Sequence, residues 1–160
     1  MDDEILQKLI AHTISYVSFR LRSAKEIHEY LSKRIKGDEK YIHLAESRLK
    51  ELRYIDDEMF AKRFIESRNR SRPKGKKLIQ LELRRKGISQ DIIDSVNNDG
   101  QVDIELARGI AQKKYPLWKK LSVLEQKKKL FGLLQRRGFG STVIFRVIDE
   151  VTGFKYNEND

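Results

Sequence analysis

Apolar residues recur three and four positions apart along most of the chain, in blocks separated by short polar breaks. That spacing stacks them on one face of an α-helix. No stretch alternates apolar and polar residues as a half-buried strand would. The pattern predicts nine helices, at residues 3–20, 23–34 and 38–52, then 56–71, 74–86 and 89–97, then 102–115, 122–137 and 140–151. Pro73 and Pro116 fall between the first and second helices of their groups, where a helix has to end. Asp38 and Asp56 stand at N-cap positions, and Asp57 and Glu58 follow in a first turn whose dipole favours acids. The polar tail 153–160 is expected to fray.

The nine segments repeat in threes. Ile10-Ala11-His12-Thr13-Ile14 aligns with Phe60-Ala61-Lys62-Arg63-Phe64 and with Leu106-Ala107-Arg108-Gly109-Ile110. Each places a small Ala on the apolar face, where a neighbouring helix can approach closely. A second signature follows: Ile79-x3-Leu83 ending in Gly87-Ile88, Leu130-x3-Leu134 ending in Gly138-Phe139, and Ile27-x3-Leu31 with no Gly directly after Lys33-Arg34. Gly after a basic last turn is a helix C-cap, left-handed and matched to the helix dipole. The expected organisation is therefore all-α, with three tandem three-helix repeats of helix-turn-helix type at 1–52, 53–99 and 100–152. Tandem units of this kind stack into an elongated, curved rod.

Charge sharpens this picture. The formal net charge is +10, but 61–87 holds eleven Lys/Arg against two Glu and 112–138 holds nine against one. The remaining residues carry a net of −7, so two matched basic segments sit on an acidic scaffold. An extended polyanion is the expected partner. The chain has no cysteine, which excludes disulfides, thiolate metal sites and a cysteine nucleophile. Three histidines, His12, His28 and His43, show no ligand pattern, and no apolar run approaches a membrane span.

Other candidate chemistry is weak. No nucleotide-binding glycine motif occurs. Pro73-Lys74-Gly75-Lys76-Lys77 resembles a phosphate loop but reads better as a basic lead into the next helix. Asp56-Asp57-Glu58 reads as capping rather than catalysis. Tyr115 and Trp118 can stack on bases, although closing a small helical core is the commoner role. The helices at 74–86 and 89–97 resemble a helix-turn-helix, yet Ser89-Gln-Asp-Ile-Ile-Asp-Ser-Val is acidic and apolar, poorly suited to base edges. Phosphate contact without sequence reading is favoured over operator recognition. The alternatives are a helix-turn-helix transcription regulator or a basic helical adaptor that binds protein alone.

Three ordered blocks resemble the RecX family of regulatory proteins. Arg53-Tyr54-Ile55-Asp56-Asp57 with Phe60-Ala61 is similar to its G-Y-[IL]-[DN]-D-x-x-[FY]-A block. The basic run from Arg68 to Gly87, ending Leu81-Glu-Leu-Arg-Arg-Lys-Gly-Ile88, resembles the block that follows. Arg22-Ser23-x-x-Glu26-Ile27-x-x-Tyr30-Leu31 resembles its R-S-x-x-E-L element. The departures are Arg53 in place of Gly and the absent Gly after Lys33-Arg34. The resemblance implies three helical repeats, no enzymatic activity and no cofactor. It implies a monomer that lodges in the groove of the RecA recombinase filament on single-stranded DNA, with duplex DNA a second possible partner, bound without sequence specificity. Inhibition of RecA ATP hydrolysis and strand exchange, in cytoplasmic DNA repair, recombination and the SOS response, is the implied outcome. Charge and repeat position select the candidate contacts: Arg68, Arg70, Arg72, Lys74, Lys76, Lys77, Arg84, Arg85, Lys86, Lys113, Lys114, Lys127, Lys128, Arg136 and Arg137.

Overall fold

The computed structural model describes residues 2–36, 38–96 and 100–153. Among these the chain forms nine α-helices and no strand: α1 Asp2–Ser18, α2 Ala24–Arg34, α3 Glu39–Glu51, α4 Asp57–Ser71, α5 Lys76–Arg85, α6 Gln90–Val96, α7 Gly100–Lys114, α8 Val123–Arg136 and α9 Ser141–Thr152. The sequence pattern placed every helix to within two residues. It missed a 3₁₀ turn at Tyr115–Trp118, which has Pro116 in its first turn and is too short to show a periodicity. Beyond Gly153, the tail expected to fray lies outside the described residues.

The chain divides into two compact units, residues 1–63 with 83–96 and residues 64–82 with 97–160. In the first unit α1, α2 and α3 pack around Leu9, Val17, Ile27, Leu31, Ile42 and Leu49. In the second, α7, α8 and α9 pack around Ala107, Ala111, Leu130, Leu134, Ile144 and Ile148. The repeated apolar pairs do the same work in each repeat: Ile27 and Leu31, Ile79 and Leu83, and Leu130 and Leu134 are all buried. The alanine signature holds at Ala61 and Ala107, which are fully enclosed. It fails at Ala11, which is exposed. The buried small side chain of α1 is Thr13, whose hydroxyl donates to the Leu9 carbonyl at 2.8 Å and so satisfies itself inside its own helix.

The helix ends show how the repeats are locked. Gly87 and Gly138 are left-handed, with φ of 80° and 86°, and the next residue's N–H returns to the Leu83 and Leu134 carbonyls. Two non-glycine residues adopt the same region, Lys36 at φ 51° and Arg53 at φ 59°. The first ends the turn after α2 one residue late, because Ile35 occupies the position Gly takes in the later repeats. The second stands where the sequence lacks the family's Gly, and the Tyr54 N–H still reaches the Leu49 carbonyl at 2.8 Å.

The starts of α2 and α5 are gripped by residues of the following repeat. The Asp57 carboxylate accepts the Ala24 N–H at 2.8 Å, and the Asp103 carboxylate accepts the Lys76 N–H at 3.1 Å. Likewise Lys25 lies against Gly87, where a Cβ would stand 2.7 Å from the lysine Cβ, and Gly75 lies against Gly138. Lys86 adds an ion pair with Glu26 at 2.7 Å.

Candidate nucleic-acid interface

The backbone sets the site before any cation does. In the second unit the loop after α4 is pinned at Gly75, whose N–H donates to the Arg137 carbonyl at 2.8 Å. A Cβ on Gly75 would lie 2.4 Å from Gly138 backbone atoms, so only glycine fits. Two amides of this loop are occupied, Gly75 by Arg137 and Lys76 by Asp103. The resemblance to a phosphate-cradling loop therefore ends at composition, and the segment serves as the lead into α5.

That anchoring brings α4, the loop and α7 around one cleft of about 440 Å³. Five of the fifteen candidate cations line it: Arg70, Arg72, Lys113, Lys114 and Arg137. Asn69, Ser71, Pro73, Leu106, Gly109 and Ile110 also line it, and Glu105 is the one carboxylate among its described lining residues. Arg137 is held in place by donating to the Pro73 carbonyl at 3.3 Å. Sequence reasoning missed Gly109, although a glycine inside a predicted helix was a usable signal.

The remaining candidates have other surroundings. Arg68 donates to Glu82 at 2.8 Å and Lys74 also pairs with Glu82, so one carboxylate offsets a charge of α4 and one of the loop. Burial works upward on Glu82, but the hydrogen bonds from Lys74 and Arg68 outweigh it and hold the carboxyl below its usual range. Lys76 is half-buried and Lys77 exposed at the start of α5. In the first unit, Arg84 donates to Gln90 at 2.9 Å, Lys86 is tied to Glu26, and Arg85 is exposed. Lys127 is only 4% exposed and sits on the packed side of α8, so it leaves the exposed set. A run of three lysines cannot all face water on a helix whose inward stripe recurs every three to four residues. Lys128 and Arg136 line a second cleft with Lys114 and with Lys129, which the sequence reading left out.

The acidic reading of α6 holds. Asp91 and Asp94 are exposed there, and Gln90, the side chain best suited to a base edge, is engaged with Arg84 and Asp94. Asp56 caps α4 by accepting the Met59 N–H at 2.8 Å, as expected, while Asp57 reaches across to α2. Among the described residues no helix is long and apolar enough to cross a membrane, and no group of His, Cys, Asp or Glu is arranged to hold a metal.

These features define a class: an all-α protein of repeated three-helix units that presents cation-lined clefts. Comparison narrows the class. Residues 56–96 match the family model for the second three-helix domain of RecX, and residues 101–148 match that for the third. A curated regulatory protein RecX from Chlorobium phaeobacteroides (strain BS1) is 36% identical over 151 residues, covering 94% of this chain and 98% of that protein. One from Oceanobacillus iheyensis is 34% identical over 150 residues, covering 92% of this chain and 55% of that protein. This chain thus spans about half the length of some curated relatives it matches and nearly all of others. The crystal structure of RecX from Lactobacillus salivarius superimposes with a TM-score of 0.86 at 24% identity, covering 95% of this chain and 99% of that one. The chain belongs to the RecX family of regulatory proteins.

Proposed function

We propose that this chain is a non-enzymatic regulator that binds the RecA filament on DNA and lowers its ATPase and strand-exchange activity. The observation carrying this reading is the first cleft, where five cations are gathered by backbone anchoring. Arg70 and Arg72 come from the end of α4 and its loop, Lys113 and Lys114 from α7, and Arg137 from the end of α8. Such a surface suits a phosphodiester backbone, which gives affinity without sequence reading. The acidic α6 supports the same choice, because its exposed Asp91 and Asp94 would meet the phosphates and its Gln90 is already engaged with Arg84 and Asp94.

Family membership supports RecA as the partner, since RecX proteins are named as regulators and the resemblance implies RecA. The test is an ATPase titration of the host's own RecA on single-stranded DNA. Added protein is expected to lower the rate at ratios at or below one per RecA subunit. An unchanged rate together with unchanged strand exchange would overturn the proposal.

A further inference from the structure

The second cleft, on the 3₁₀ turn and α8, differs in kind from the first. Lys114, Lys128, Lys129 and Arg136 surround it, and no carboxylate occurs among its described lining residues. Its wall includes Trp118, half-exposed, which also packs against the core of α7, α8 and α9. The Trp118 carbonyl accepts from Gln126 Nε2 at 3.0 Å, which fixes the turn that carries the ring. The exposed Lys129 ammonium lies over the ring at 5.6 Å from its centroid, so a stacking base would displace a flexible, solvent-exposed side chain rather than a packed one.

Gly132 is the second unusual element. Glycine is disfavoured inside a helix, and packing does not require one here. A Cβ would meet only the tip of the flexible Arg136 side chain, Nη1 at 3.2 Å. What the missing side chain leaves is a notch in the same cleft as the indole. Leu117, 70% exposed, stands out from the surface rather than enclosing an apolar socket. A flat aromatic face, a notch and a rim of cations match a nucleotide better than an acidic peptide.

We propose that the second cleft holds an unpaired base of a single-stranded nucleic acid, stacked on Trp118 over Gly132, with its flanking phosphates on Lys114, Lys128 and Arg136. Lys114 lines both clefts, so one strand's backbone can serve both. The inference rests on the DNA contact in the proposed function and adds discrimination: duplex DNA, whose bases are already stacked, cannot fill this site.

Trp118 is the only tryptophan, so its emission reports this cleft alone. The full chain is titrated with a short oligothymidylate, an abasic strand of the same length, a duplex and poly-glutamate, while the anisotropy of a labelled strand measures binding independently. The thymidylate strand should quench the emission, with the abasic strand and duplex producing little quenching at equal occupancy. Trp118→Leu should weaken single-strand binding about 5- to 150-fold, the range for loss of one base–aromatic stack. Because Trp118 also packs on the core, Gly132→Leu provides a second variant. It fills the notch with a good helix former and should lower affinity and quenching while the melting temperature holds. Binding of thymidylate without quenching, or equal quenching by the abasic strand, overturns the stacking site alone. Saturable quenching by poly-glutamate assigns the cleft to an acidic protein instead. No anisotropy change with any strand overturns both this site and the DNA contact beneath it.

Discussion

Gly75 and Gly109 are the same residue in opposite surroundings. A methyl group on Gly75 would strike the Gly138 and Phe139 backbone at 2.4 Å, which cannot yield as a side chain tip can. Gly75→Ala should therefore destabilise the second unit by about 2 kcal/mol or more, measured by urea unfolding. At Gly109 nothing lies within 4 Å of the added carbon. Gly109→Ala should stabilise α7 by about 0.5–1 kcal/mol. Arg53 offers the reverse substitution. Its φ of 59° imposes the crowding of a Cβ in the left-handed region, so Arg53→Gly should raise stability by about 1 kcal/mol. The sequence revealed this position as a missing Gly, and the cap forms anyway. What it did not reveal is which cations remain uncompensated. Arg68 and Lys74 meet Glu82 only after the chain turns back on itself, and Lys127 is buried by its place on the inward stripe of α8.

Helices were the most legible level, because each carries its own boundaries. Ser23 and Ser122 form capping boxes with Glu26 and Glu125, and Gly87 and Gly138 end α5 and α8. Contacts between elements were less legible. Asp57 read as a local first-turn acid and Asp103 drew no notice, yet each caps the second helix of the preceding repeat. Burial pushes both carboxyls above the usual aspartate range, against the hydrogen bonds from Ala24 and Lys76. A raised folded-state pKa means the folded state binds the proton more tightly than the unfolded chain does. That contribution is complete below the unfolded value, 3.8, and is lost as pH rises through the folded one. Asp103→Asn keeps an acceptor without the buried charge, so it should match or exceed the wild-type stability at pH 7 and remove this decline. Asp103→Ala loses the cap and should cost about 1 kcal/mol. Glu26 runs the other way. Burial raises its pKa, but the Lys86 and Ser23 hydrogen bonds and neighbouring positive charge hold it lower overall. Its stabilisation is present above the unfolded value, 4.5, and is lost as pH falls through the folded one. Thermal melts of Glu26→Gln between pH 3 and 7 should therefore show a shallower acid limb than the wild type.

For the molecule as a whole, the net charge of +10 overstates what a polyanion meets, because the carboxylates are not evenly placed. The first cleft keeps five cations against Glu105, while Glu82 offsets Arg68 and Lys74 nearby. Salt dependence separates these groups, since each phosphate neutralised on a single strand adds about 0.7 to the slope of log affinity against log salt. Replacing Arg70, Arg72 and Lys113 together with Gln should lower the magnitude of that slope by about 2, from three lost contacts. Lys127→Gln should leave the slope unchanged, because its ammonium is not on the exposed surface. Glu82→Gln is the informative variant. It removes the carboxylate that holds Arg68 and Lys74, and should therefore raise the slope by up to about 1.4 and tighten binding at low salt. The same change should lower stability, because two half-buried cations lose their partner. Affinity and stability moving in opposite directions would identify Glu82 as the residue that limits the charge this face presents. A fall in both would mean that Arg68 and Lys74 act as structural ties and that the polyanion is held by the cleft cations alone.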